Sequence, residues 1–210
     1  MDKPGGQEAV HDPSGRSAAS RETRERLMAA AAELISEVGW GRVTTRAVAE
    51  RAGLPHGSVS YHFRGKQELL VEACSHAFSE AVPFDEFAAL TGVNDLIDMI
   101  GVQLDRERGA TPMLTRLMFE AMREAERDET LRERMGAMII EYRQAVVQAV
   151  RADQQRHVVP ATVSAEGIAT LVTALGDGLL LHALLDPDTR VADALEALRA
   201  LLGGPSVEDR

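Results

Sequence analysis

The stretch from Arg42 to Lys66, RVTTRAVAERAGLPHGSVSYHFRGK, limits the fold more than any other part of the chain. It reads as two short helices joined by a tight turn. Thr44 is a candidate N-cap, with Val43 just before it and Val48 inside the first helix, the arrangement of a hydrophobic staple. That helix runs to about Ala52, where Gly53 can take the left-handed conformation that ends helices. Leu54 follows as an apolar plug and Pro55 as a fixed φ. A second helix, about His56 to Phe63, sets Val59 and Phe63 one turn apart on one face and leaves His56, Gly57 and Ser60 elsewhere. A helix this short is unstable alone, so its neighbours must hold it. Its free face is small, polar and able to donate hydrogen bonds. A helix-turn-helix presents such a face to the DNA major groove. The competing reading is two core helices with no role at DNA.

In this stretch the chain resembles the tetracycline-repressor (TetR) family of bacterial transcription regulators. The family's signature is close to T-x-x-x-I-A-x-x-A-G-V-S-x-G-T-[LI]-Y-x-[HY]-F-x-x-K-x-x-L. Thr44, Val48, Ala49, Ala52, Gly53, Leu54, Gly57, Ser58, Val59, His62, Phe63, Lys66 and Leu69 fall in register with it. Two positions depart: Pro55 stands where the family has Ser, and Ser60 where it has the first Tyr. The motif covers under a quarter of the chain, so the rest must be read on its own residues.

The overall charge of −10 argues against a nucleic-acid partner, but its distribution argues for one. Residues 20–66 balance at +3 and residues 67–210 at −12, a basic head on an acidic body. At 4% aromatic, with abundant Ala and Leu, the composition suits packed helices. No uninterrupted apolar run reaches about 18 residues, so no membrane span is expected. Cys74 is the only cysteine, and the N-terminus lacks a signal-peptide pattern, which points to the cytoplasm.

The whole chain reads as all-α, with about nine helices in two parts. Residues 1–18, with Pro4, Gly5, Gly6, Pro13 and Gly15, read as a disordered tail. Residues 19–66 form the helix-turn-helix head. Its first helix is capped by Ser20, striped by Leu27, Ala31, Leu34 and Ile35, and ended by Gly39 with Trp40 folding back. Residues 67–204 form an effector-binding and dimerisation body, joined to the head by a linking helix over 66–80 that Pro83 ends. A connector over 84–92 precedes three helices at about 93–108, 112–127 and 130–151. The last two helices, about 164–185 and 191–202, hold more apolar surface than one short bundle needs. In the resembled family these two pair with a second subunit. Ile168, Leu171, Leu175, Leu179, Leu195, Leu198 and Leu202 are the candidate dimer contacts, the alternative being closure of one subunit's own core.

At the head, His56, Gly57, Ser58 and Ser60 are placed to approach base edges. Pro55 brings no capping oxygen, which leaves the amides after it open to an anion. The resemblance puts Tyr61 and His62 at the phosphate backbone and Arg46 at base or phosphate, with Thr44, Thr45 and Lys66 clamping phosphates. Each has a plainer reading: His62 as a structural histidine, Tyr61 as packing, Arg46 as an ion-pair partner of Glu50. In the body the resemblance implies a small-molecule site. Leu96, Met99, Ile100, Met118, Phe119, Met122, Met138 and Tyr142 can line an adaptable apolar cavity, with Gln103, Arg116, Glu120, Arg123 and His182 as orienting polar groups. The plainer reading is ordinary core.

No catalytic motif, cofactor or metal set is found: Cys74 and His76 project differently, there is no phosphate loop, and Asp177 is read as a packing position. The expectation is a dimeric repressor, released from a palindromic double-stranded DNA operator by an apolar or amphipathic effector. The alternatives are an activator or architectural protein without a ligand, and a helical interaction protein that has lost DNA binding.

Overall fold

Helix α1 (Pro13–Val38) carries the first of two cores, because Leu27, Ala31, Leu34 and Ile35 recur on one face and are all buried. The computed structural model describes residues 13–81, 90–109, 113–186 and 188–202. A 3-10 turn (Trp40–Arg42) follows α1, then α2 (Thr45–Arg51), α3 (Gly57–His62) and α4 (Lys66–Ala81). The body holds α5 (Val93–Gly109), α6 (Met113–Ala125), α7 (Glu129–Gln155), α8 (Ala165–Leu185) and α9 (Val191–Leu201). The fold is all-α, with nine α-helices and no strand among the described residues.

Three expectations about boundaries are corrected or left aside. Helix α1 begins at Pro13 rather than after a Ser20 cap, so residues 13–18 are helix and not tail. Proline suits the first helical turn, where its missing N–H would be unpaired in any case. Gly39 ends α1 with φ 83 and ψ 152, a region open to glycine. Trp40 starts the 3-10 turn and is buried in the same core as the α1 stripe, while its backbone N–H goes to Glu120 of α6 rather than to an α1 carbonyl. The stop at Pro83, most of the connector after it and the start at Pro112 lie outside the described residues.

The two cores do not follow the head–body boundary read from the sequence. The first joins α1–α4 to Leu117 and Ala121 of α6 and Leu131 of α7. The second joins Leu96, Ile97 and Leu104 of α5 to Val146 and Val150 of α7, Ile168 and Val172 of α8, and Leu195 of α9. Helix α7 therefore contributes one end to each core. Its C-terminal half also anchors α5: buried Asp153 accepts the Val93 N–H at 2.7 Å and pairs with Arg156. Gly92 leaves room for that carboxylate, since a Cβ there would stand 2.6 Å from an Asp153 oxygen. Arg199, also buried, ties α9 to α5 through Asp98 at 2.6 Å.

Helix α8 holds no uninterrupted apolar run of 18 residues, since Glu166, Asp177 and His182 interrupt it, yet it is apolar over most of its length. Its 21 residues include an 18-residue window of mean hydropathy 1.8, which meets the length and composition of a span, the one such helix among the described residues. The outer face explains this. Leu171, Leu181 and Leu185 are exposed, while Ile168, Val172 and Leu179 on the other side enter the second core.

Candidate nucleic-acid interface

Thr44 caps α2 as its sequence position suggests, its hydroxyl oxygen accepting the Ala47 N–H at 3.1 Å. The hydroxyl proton stays available to a phosphate, because a hydroxyl can accept and donate together. At the other end, Gly53 adopts φ 65. The Gly53 N–H reaches the Glu50 carbonyl at 3.1 Å and the Leu54 N–H that of Ala49 at 2.9 Å, a Schellman closure. Arg26 of α1 adds a bond to the Ala52 carbonyl at 2.6 Å. The turn is thus fixed from both sides, and the Leu54 side chain packs on the first core.

Helix α3 is held by its buried residues, Val59 and the capping Phe63. Its other side is open. His56, Gly57, Ser60 and Tyr61 are exposed, Tyr61 to 79%, and Ser58 and His62 are half-buried. Tyr61 and His62 meet edge to face at 4.9 Å, which orients both rings. Arg46 is exposed on α2 and forms no ion pair with Glu50, so the plainer reading of that arginine fails. Thr45 is half-buried. Arg46, Thr44, His56, Gly57, Ser60 and Tyr61 are the exposed members of the expected set.

Three expected roles change in detail. Ser58 N–H donates to the Pro55 carbonyl at 2.9 Å, so that amide is not open to an anion as expected. Ser60 donates its hydroxyl to the Gly57 carbonyl at 3.0 Å, which leaves it only acceptor capacity toward a base. Lys66 Nζ donates to the Gly41 carbonyl at 3.1 Å and keeps two further N–H groups for phosphate.

The basic balance of the head is partly internal. Arg51 forms bonds of 2.7–3.1 Å to Glu33 and Glu37, tying α2 to α1 and holding the Glu37 carboxyl below its ordinary range. Arg42 donates to the Val38 carbonyl at 2.6 Å. Arg24 lies 5.0 Å from the Phe63 ring centroid and 3.2 Å from Glu72. Sequence reasoning counted these arginines as DNA-facing charge. Their partners lie one or more turns away or on other elements, so only the packed structure reveals them.

The proposed effector residues divide between the two cores. Met118 and Met138 pack against the head core, while Leu96, Met99, Ile100 and Tyr142 belong to the body core. Phe119 and Gln103 are half-buried; Arg116, Met122, Arg123 and His182 are exposed. Glu120 is engaged with the head, accepting the Trp40 N–H at 2.8 Å, and with Arg123 at 2.7 Å. Burial and then the nearby Asp177 charge push the Tyr142 hydroxyl up to about 12. Asp177 was read as packing only; desolvation raises its carboxyl above the ordinary range. A groove of about 490 Å³ lies between α4 and the start of α7, lined by Gln67, Glu68, Glu72, Asp128 and Arg134, away from the expected effector residues. Cys74 is buried, and its thiol is pushed up to about 12, so it stays protonated at neutral pH.

Residues 27–73, which include this whole interface, match the profile described as bacterial regulatory proteins, tetR family. Residues 95–204, just over half of the chain, match that of the C-terminal region of BetI-type transcriptional repressors. The chain belongs to the TetR family. Among curated relatives, it is 36% identical over 108 residues to the HTH-type transcriptional repressor KstR of Mycolicibacterium smegmatis. That match covers 50% of this chain and 52% of KstR, so the chain spans about half the length of this relative. Among solved structures, a putative transcriptional regulator, SCO7518 from Streptomyces coelicolor A3(2), shares 29% identity at a TM-score of 0.66. It covers 86% of this chain and 98% of its own. A SmeT–triclosan complex has the same TetR-like fold, with 22% identity, a TM-score of 0.71 and coverage of 86% and 91%.

Proposed function

We propose that this TetR-family protein is a dimeric repressor that binds a palindromic DNA operator through α2 and α3 and is released by an apolar or amphipathic small molecule. The observation that carries the reading is the face of α3. It is only six residues long, fixed by Val59 and Phe63 behind it, and turns His56, Gly57, Ser60 and Tyr61 to solvent beside Arg46. No folding reason requires a Tyr 79% exposed at that place; a nucleic-acid backbone supplies one.

The dimer is supported by the apolar side of α8 and α9. Leu171, Leu185 and Leu201 are 72%, 74% and 83% exposed, and Leu181 joins them. Of the seven expected contacts, Leu171 stays on this outer face and Leu175, Leu198 and Leu202 are half-buried at its edge. Ile168, Leu179 and Leu195 are buried in the subunit's own core and leave the interface. Two such faces brought together cover each other and give the two recognition helices a twofold relation.

The effector reading rests on α5, α6 and α7, where Met99, Ile100, Phe119 and Tyr142 are half-buried rather than sealed. Half-buried Met and aromatic groups can re-pack around a guest. A neighbour of the same fold was solved as a complex with triclosan, an apolar phenol, which supports the reading of an apolar effector here. The test is fluorescence polarisation of a labelled duplex from upstream of the gene, with and without lipophilic compounds. The expected result is tight binding that a subset of compounds weakens about 10–100-fold, a coupling of about 1.4–2.8 kcal/mol. Binding that no compound alters would favour a regulator without a small ligand.

A further inference from the structure

One carboxylate of the body meets the head directly, and a second reaches it through Gln67 of the linking helix α4. Glu120 of α6 accepts the Trp40 backbone N–H at 2.8 Å, and Arg123 steadies it at 2.7 Å. Asp128, the N-cap of α7, accepts the Leu131 N–H with one oxygen at 2.8 Å. Its other oxygen accepts the Gln67 side-chain amide at 2.7 Å. The Gln67 carbonyl in turn accepts the Trp40 indole N–H at 3.4 Å. Trp40 is therefore tied to the body by its backbone through α6 and by its ring through α4 and α7. The fit around Glu120 is close: a Cβ on Gly39 would stand 3.3 Å from its carboxylate.

We propose that Glu120, Gln67 and Asp128 are positioning residues for DNA binding, which fix the angle of the head on the body and so the separation of the two recognition helices in the dimer. This rests on the dimeric DNA-binding reading above. The head meets its body through the linking helix α4 and through apolar packing on Leu117, Ala121 and Leu131, and apolar packing is non-directional and leaves freedom to tilt. Charged acceptors bind N–H groups directionally and more strongly than neutral ones, so contacts at Trp40 and Gln67 remove that freedom. The same contacts give α6 a direct hold on the head. A guest that shifts α6 draws Glu120 off the Trp40 N–H without first moving α4, and so biases the two head positions.

The experiment uses the full chain and an inverted-repeat duplex enriched from random sequence. Half-site separation is varied by about two base pairs either way, and a single half-site serves as control. The wild type should prefer one separation by about tenfold. Glu120→Ala and Gln67→Leu should reduce that preference to about twofold and leave single half-site binding unchanged, while Glu120→Gln, which keeps an acceptor for the Trp40 N–H, should restore it. Trp40 is the only tryptophan, so its emission reports the same junction and should shift to the red in the first two variants. If Glu120→Ala does not fold, Gln67→Leu decides, because Gln67 is exposed. Folded variants that keep the wild-type separation preference overturn the proposal alone. A wild type with no separation preference overturns the dimeric reading and this proposal with it.

Discussion

Gly53 and His157 perform the same task, and only one was visible in the sequence. Both are left-handed, with φ 65 and φ 62, and both close a helix in a Schellman arrangement. At α7, the His157 N–H reaches the Gln154 carbonyl at 3.2 Å and the Val158 N–H that of Asp153 at 2.9 Å. A glycine announces such a stop; a histidine does not, so the end of α7 was placed four residues early, at Arg151 rather than Gln155. A side chain in this conformation carries a steric cost that glycine lacks. His157→Gly should therefore stabilise the protein by about 0.5–1 kcal/mol, seen as a higher urea midpoint with an unchanged slope. Gly92→Ala should do the reverse. Its methyl group would meet the Asp153 carboxylate and the Arg156 guanidinium at 2.5–2.8 Å. The Val93 N–H would lose its acceptor if the carboxylate moved, so a loss of about 1–3 kcal/mol is expected in the same assay.

At the scale of elements, helical periodicity located each helix to within a few residues, except where Pro13 began α1 early. Periodicity could not say which apolar stripe of α8 faces inward, since the helix is apolar nearly all round. Ile168 and Leu171 looked equivalent in sequence. The structure separates them, at 5% and 72% exposed. The separation makes a sharp prediction. Leu171→Glu or Leu185→Glu should give a folded monomer by light scattering, because the charge meets water once the partner leaves. Ile168→Glu buries an unpaired carboxylate in the subunit core and should cost several kcal/mol, about 3–5, so that the chain unfolds or aggregates. A Leu171→Glu protein that remains a dimer would move the interface off this face.

For the molecule as a whole, the helix-turn-helix was legible because its motif is local: cap, stop glycine and two apolar anchors within a short stretch. The joint between head and body was not, because Trp40 and Glu120, or Gln67 and Asp128, are distant in sequence and no periodicity links them. That joint should be sensitive to acid. The Gln67 amide and the Leu131 N–H hold the Asp128 carboxyl below its ordinary value of 3.8, and Arg134, then Arg24, hold Glu72 below 4.5. Carboxyls with depressed values stabilise the fold above their ordinary range, and that contribution is lost as pH falls through the depressed values. Thermal stability should therefore drop from about pH 5 downward, and less steeply in an Asp128→Asn, Glu72→Gln double variant. The central claim, that α2 and α3 of a symmetric dimer read DNA, is tested most directly by selecting binders from random duplexes. The account predicts enrichment of one inverted repeat, bound by the dimer and lost in Arg46→Ala and Tyr61→Ala proteins that remain folded. Enrichment of no inverted repeat, or of one that both variants bind as tightly as the wild type, would contradict it.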